Sequence, residues 1–229
     1  LTRCLTERQL GVGGGKEGGE VYQIKNDAAQ AMGLRDAIAR DLYSRLFDWL
    51  ISRVAASFQE KGEVASDDHY FIGVLDIFGF ENYKLSGEKN QFEQLLINYA
   101  NEALQALFTK KVLAAEQELY QREGITSVKI EFTENQQCVD LIVSKPNGVF
   151  LALDSVGNMP EPTENKLIEH LHRAHDSHSH WVQPHLKDKN DTFIIQHFAE
   201  KVTYTIGSFL EKNDDLLPAN LASSLHGSS

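Results

Sequence analysis

Between Leu34 and Phe58 an apolar side chain returns every fourth residue: Leu34, Ile38, Leu42, Leu46, Leu50, Val54 and Phe58, with Tyr43, Phe47 and Ile51 beside them. A strand cannot use this period, because its side chains alternate between faces; a helix stacks them into one stripe. The run predicts a long amphipathic helix with a broad buried face. A second run begins at Phe92, where Leu95, Leu96, Tyr99, Ala103 and Leu107 mark one helix face. It can be carried to about Tyr120, with Gly124 as a stop. From Gln91 to Gln117 the rod would span roughly 40 Å at 1.5 Å per residue. Two such rods, together with the strand and hairpin runs below, predict a mixed α/β fold that is mainly helical.

The stretch between the rods reads FIGVLDIFGFENY, residues 71 to 83. His69 to Leu75 is apolar without alternation, the pattern of a strand buried on both faces of a sheet. It runs into Asp76, Gly79 and Glu81. In phosphate-hydrolysing switches an Asp at a strand end reaches Mg²⁺ through a water, and a Gly three residues on lets a backbone N–H approach the terminal phosphate. A bare Asp-x-x-Gly is by itself an ordinary polar turn. Here the buried strand before it and the rod after it favour a phosphate sensor whose movement the rod would magnify.

Elsewhere the signals are shorter. GVGGGKEGGE (11 to 20) fails the phosphate-loop pattern, with Leu10 and Glu17 at the positions that need Gly and Ser or Thr, and reads as a flexible surface loop. VKIEF (128 to 132) predicts a short strand and CVDLIVS a helix, whereas GVFLAL falls in a proline-punctuated looped region. Thr163 is a fair N-cap for a helix turning Leu167, Ile168 and Leu171 inward. TFIIQHF and KVTYTI, separated by Ala199-Glu200, predict a hairpin.

A net charge of -11 argues against a general nucleic-acid binder, and no apolar run reaches the length of a membrane span. Two cysteines without CxxC spacing indicate neither a disulfide framework nor a zinc ribbon, so a reducing, cytoplasmic setting is expected. His170, His172, His175, His178, His180 and His185 lack zinc-ligand spacing and read as a solvated, pH-sensitive surface.

The stretch DIFGFENYKLSGEKNQFEQLLINYANEALQALF resembles the switch II loop and relay helix of myosin motor domains. Asp76, Ile77, Gly79, Phe80 and Glu81 match the family's loop; Asn90, Phe92 to Leu95, Ile97 to Tyr99, Asn101, Glu102, Leu104, Gln105 and Phe108 match its helix. RDAIARDLYSRLFDWLISRV resembles the long helix of the upper actin-cleft subdomain, and ENQQCVDLI, KPNGVFLALD, FIIQHFAEKVTY and FLEKNDD resemble the lower one.

The resemblance implies a middle piece of a P-loop NTPase motor. Residues 1–68 would be part of the upper cleft subdomain, 69–90 a sheet strand with switch II, 91–127 the relay helix and loop, 128–221 the lower actin-binding subdomain and 222–229 a tail. Asp76, Ile77, Phe78 and Gly79 would contact nucleotide. Asp76 would hold a Mg²⁺-bound water, the Gly79 N–H would bind the γ-phosphate, and Glu81 would pair with a switch I arginine. Phe92, Asn98, Tyr99 and Phe108 would relay the movement; Lys145, Pro146, Asn158, Met159 and Pro160 would face an actin filament. ATP with Mg²⁺ is the implied cofactor of the complete motor, with none expected tightly bound here and no hydrolysis expected from this piece alone. The implied partners are actin and the remaining motor, in the cytoskeleton, without nucleic acid or membrane insertion.

Three positions depart from the family. Ser127 stands where many members have Trp, and Glu200 where a Gly is usual, a costly change if that turn needs positive φ. Asn158-Met159-Pro160 has one bulky apolar residue where two are usual. The segment from 145 to 189 is near neutral in an acidic chain, which would reduce repulsion from an acidic filament. A non-catalytic actin-binding or scaffold protein and a metal-binding helical protein are the alternatives.

Overall fold

The computed structural model describes residues 5–12, 20–58, 72–125 and 134–213. The chain divides into two compact units, Leu1–Gly73 with Asp215–Ser229, and Val74–Asp214.

In the first unit, strands β1 (Glu7–Val12) and β2 (Glu20–Lys25) pair antiparallel from Glu7 opposite Lys25 to Val12 opposite Glu20. The glycine-rich run expected to be loop throughout therefore contributes to two strands; residues 13–19 lie outside the described residues. Helix α1 (Ala28–Phe58) follows. Its first turn is closed by a reciprocal cap, the Gln30 N–H donating to Asp27 Oδ1 at 2.8 Å and the Asp27 N–H to Gln30 Oε1 at 3.2 Å. The expected helix is present, but its expected burial is not. Ala37 and Ile38 are buried, whereas Leu42, Leu46, Leu50, Val54 and Phe58 are exposed and Tyr43 is 70% exposed. Periodicity specifies which residues share a face; burial needs a second surface against that face.

The same reasoning corrects the described part, residues 72–75, of the strand expected at His69 to Leu75. Residues 69–71 lie outside the described residues, and 72–82 carry no regular secondary structure. Ile72 is 98% and Val74 92% exposed. A central strand needs partners on both edges for its backbone groups, and among the described residues none pairs with this segment.

The second unit holds the core. After a 3₁₀ turn (Tyr83–Leu85), the predicted rod runs as α2 (Phe92–Phe108), a π-helical segment (Thr109–Ala114) and α3 (Ala115–Arg122). Then come α4 (Gln136–Val143), α5 (Val149–Gly157) and α6 (Glu164–His175). The VKIEF strand expected at 128–132 lies outside the described residues. GVFLAL, expected in a loop, enters α5. Gly148 makes this start possible: a Cβ there would lie 2.8 Å from the backbone of Val143 and Ser144. Thr163 caps α6 as expected, its side chain accepting from the Lys166 N–H.

A three-stranded sheet, β3 (Trp181–Val182), β4 (Thr192–Gln196) and β5 (Lys201–Thr205), closes the unit in the order β3-β4-β5, before the short helix α7 (Phe209–Asn213). The predicted hairpin is β4–β5, with Phe193 opposite Tyr204. The short β3 gave no recognised sequence signal. The hairpin turn leaves Glu200 out of positive φ, because Ser208 is the non-glycine residue that adopts it among the described residues. Its loop is closed instead by the His197 N–H donating to the Glu200 carbonyl at 3.0 Å. Trp181, Phe193 and Tyr204 stack successively at ring separations of 5.4 and 5.3 Å, over a core completed by Leu95, Ile142, Leu153, Leu171 and Phe209.

Candidate functional site

Among the described residues the loop from Asp76 to Tyr83 has no strand partner, yet its backbone is held. Two side chains of α2 do the work of a neighbouring strand. Asn98 Oδ1 accepts from the Glu81 N–H at 2.8 Å while its Nδ2 donates to the Glu81 carbonyl at 2.8 Å, so one amide satisfies both backbone groups of one residue. One turn on, Asn101 Nδ2 donates to the Phe78 carbonyl at 2.9 Å. Phe80 sets its ring edge-on to His197 and Phe198 at 5.4 and 5.8 Å. The Glu81 carboxylate receives the Tyr83 hydroxyl and Gln94 Nε2, both at 3.3 Å. Its negative charge is the main reason the Tyr83 phenol is shifted upward.

Asn90 fixes the far end of the loop. Its Oδ1 accepts from the Tyr83 N–H at 2.8 Å, its Nδ2 donates to the Thr203 carbonyl at 3.1 Å, and its own carbonyl accepts from the Thr205 N–H at 2.8 Å. The loop is thus stitched to α2 on one side and to β5 on the other.

Behind Asn98 the polar contacts continue into the core. Its Nδ2 also donates to the Tyr204 hydroxyl at 2.9 Å; that oxygen is 2.8 Å from His197 Nε2, and His197 Nδ1 is 2.8 Å from Glu102 Oε2. Asn135 Nδ2 donates to Glu102 Oε1 at 2.6 Å, and the Phe198 N–H to Oε2 at 3.2 Å. One proton arrangement satisfies the chain: His197 Nδ1–H donates to the carboxylate, and the Tyr204 O–H donates to Nε2 while accepting from Asn98. Asn98, Glu102 and His197 are buried. Burial, the largest influence on Glu102, would raise its pKa; hydrogen bonds from His197, Asn135 and the Phe198 N–H outweigh it and hold the carboxyl below its ordinary range. Burial drives the Cys138 thiol and the Tyr204 phenol upward.

Glu102, Cys138 and His197 bring possible metal ligands within 4.8 Å of one another. The donor set does not favour an ion, because N–H groups already occupy both carboxylate oxygens and burial keeps the thiol protonated.

The chain matches the myosin head (motor domain) family over residues 1–229. It belongs to that family. Among its relatives, Myosin-H heavy chain of Dictyostelium discoideum is 40% identical over 214 residues, 93% of this chain and 12% of the relative. Unconventional myosin-VI of Homo sapiens is 39% identical over 231 residues, 97% of this chain and 17% of the relative. Unconventional myosin-IXb of Rattus norvegicus is 40% identical over 201 residues, 87% and 10% respectively. The chain thus spans between a tenth and a fifth of these myosins' lengths.

Within this myosin-family unit the site residues expected from the sequence lie in three places, one for each expected role. Asp76, Ile77, Phe78 and Gly79 lie on the exposed loop, with Glu81 half-buried at its root. Of the expected relay residues, Phe92 and Asn98 are buried and Tyr99 is half-buried, whereas Phe108 is exposed. Lys145 and Pro146 precede α5, and Asn158, Met159 and Pro160 follow it, all exposed. These two clusters lie at opposite ends of a nine-residue helix, about 13 Å long. They do not form one contiguous patch along the backbone.

The histidine run is corrected in part. His185 is exposed, but His172 and His175 are buried against Trp181 at ring separations of 5.5 and 5.2 Å. His172 Nε2 lies 3.0 Å from the Lys189 carbonyl and 3.2 Å from that of Thr192. Burial is the main cause that holds both imidazoles below their ordinary range.

The hydrogen-bonding roles of Asn101, Glu102, Tyr204 and His197 do not follow from the local sequence pattern. One signal was available: Asn98 and Glu102 continue the spacing of Phe92 and Leu95, placing polar residues on the helix face that should be apolar. A buried polar residue needs partners. Nothing local in the sequence identifies those partners as Tyr204 and His197.

Proposed function

We propose that this chain forms part of an ATP-driven, actin-based myosin motor, in which the loop at 76–81 senses the γ-phosphate and α2 with its continuation relays the sensor's movement. The observation that carries the proposal is the clasp of Asn98 and Asn101 on the loop backbone at Glu81 and Phe78. A loop displacement would pull on two points of the rod one turn apart, and a rod turns such a pull into tilt.

The loop residues fit a share in a nucleotide site. Gly79 is exposed and a Cβ there would meet nothing within 4 Å, so its backbone is approachable. The Asp76 side chain is likewise exposed and could hold a Mg²⁺-bound water. ATP with Mg²⁺ supplies the phosphate whose presence or loss the loop reads. The Gly79 N–H donates to that phosphate, and Glu81 pairs with an arginine of the remaining motor. Lys145, Pro146, Asn158, Met159 and Pro160 contribute to the actin-facing surface in a cytoskeletal, cytoplasmic setting. No helix among the described residues is long and apolar enough to cross a membrane.

The test is Gly79→Ala in the complete motor. Because the added methyl meets open space within this chain, folding is preserved and the effect reports the ligand. Nucleotide affinity should be nearly unchanged while hydrolysis slows about a hundredfold, the usual cost of losing one preorganised donor. A normal hydrolysis burst would remove Gly79 from the sensor.

A further inference from the structure

The Asn98 amide is itself held from behind, and what holds it joins two parts of the unit that are far apart in sequence. Its Nδ2 has two acceptors, the Glu81 carbonyl at 2.8 Å and the Tyr204 hydroxyl at 2.9 Å. An amide bonded only to Glu81 could swing about its side-chain torsions with the loop. The second acceptor, on a fully buried ring of β5, fixes the amide plane. Tyr204 is in turn oriented by His197, because its hydroxyl proton points to Nε2 at 2.8 Å and leaves the oxygen lone pairs for Asn98. His197 presents Nε2 as an acceptor because Nδ1 carries its proton toward Glu102 at 2.8 Å.

We propose that Tyr204 is a positioning residue for the 76–83 loop: aligned by the His197–Glu102 pair, it locks the Asn98 amide, so the loop and the β4–β5 hairpin respond as one piece. The inference gives the phosphate-sensing reading a second route, from the loop into the hairpin rather than along the rod. It rests on that reading for its functional meaning and on geometry alone for the coupling. The order of dependence is directional: Glu102 sets the His197 tautomer, His197 sets the Tyr204 proton, and Tyr204 sets the amide.

Amide hydrogen exchange on the whole chain tests the coupling without nucleotide. The reporter is the Glu81 N–H, which donates to Asn98 Oδ1. Tyr204→Phe removes only the hydroxyl and should accelerate exchange at Glu81 about tenfold, the effect of weakening one hydrogen-bonded arrangement. Exchange at Ile195 and Val202, in the β4–β5 ladder, should change less than twofold. Two substitutions at His197 separate positioning from packing. Gln places a polar atom where Nε2 was and should keep Glu81 protected. Asn reaches the Nδ1 position and Glu102 but not Tyr204, and should expose Glu81 as Tyr204→Phe does. If Phe at 204 unfolds the unit, this pair carries the test. In a folded Tyr204→Phe variant, unchanged Glu81 exchange or equal acceleration at Ile195 and Val202 would overturn the proposal, as would equal behaviour of the two His197 variants. Such a failure leaves the phosphate sensor standing, since Gly79→Ala in the complete motor tests that separately.

Discussion

Helices α1 and α2 both announce themselves by apolar period, and they end in opposite circumstances. Helix α1 displays Leu42, Leu46, Leu50 and Val54 on its exposed surface. Helix α2 buries Phe92 and Leu95 and then, on the same side, Asn98 and Glu102. The longer apolar stripe is the one left exposed from Leu42 to Phe58, and the helix with polar interruptions is the one built into the core. Apolar spacing shows where a helix forms. Buried polar groups show where its neighbours are fixed, because an amide or carboxylate out of water must meet named partners at hydrogen-bond distance, whereas an apolar side chain accepts any dry surface.

The contrast can be broken most directly at Glu102. Glu102→Ala leaves His197 Nδ1 and the Phe198 N–H without their acceptor and Asn135 Nδ2 with the Glu102 backbone carbonyl alone, and should destabilise the unit by about 3 kcal/mol. Urea unfolding of the whole chain measures it. A loss below about 1 kcal/mol would mean that the network does not specify the core.

Acidification sharpens the comparison with a smaller effect. His172 and His175 are held below the ordinary imidazole range, mainly by burial, so the unfolded chain takes up protons first as pH falls. Stability from these residues is present above about pH 6.5, the unfolded value, and is lost on acidification toward their lower folded values. Glu102 adds to the loss at still lower pH, its depressed folded pKa making its contribution vanish as pH falls through that value. Glu164 opposes it: burial raises its pKa, so its contribution is present in acid and lost as pH rises through the folded value. A stability profile from pH 7.5 to 5 should therefore fall toward acid, and His172→Gln with His175→Gln should flatten it near 6. An unchanged slope in that double variant would assign the loss to other groups.

The smallest expected effect is on α1. Leu46 is already 60% exposed, so Leu46→Glu should shift unfolding by no more than about 0.5 kcal/mol. A large loss in the same urea titration would show that the α1 face is covered in solution, and would erase the contrast with α2.

Much of the local structure was legible because it depends on neighbours in sequence. Both rods, the Thr163 cap, the Leu167–Ile168–Leu171 face and the β4–β5 hairpin follow from period, capping and alternation alone. The family was legible in the motif from Asp76 to Phe108. The failures have a common cause. The run at 69–75 is apolar and predicts a buried strand, yet residues 72–75 form none, because strand formation is decided by a partner's backbone. The prolines around GVFLAL predict a loop, but Gly148 lets α5 start against the backbone of residues 143 and 144.

What the sequence determined by itself is the inventory: two long helices, a loop offering Asp76, Gly79 and Glu81, and a helix face on which Asn98 and Glu102 interrupt the apolar stripe. Only the tertiary structure decided what those polar groups meet. Tyr204 lies 106 residues from Asn98, and His197 lies 95 from Glu102. No periodic signal extends over such separations, since period reflects the geometry of one helix or strand. The contacts exist because Tyr204 of β5 and His197 at the end of β4 meet α2 side chains, bringing a phenol, an imidazole, an amide and a carboxylate into one dry space where each requires the others.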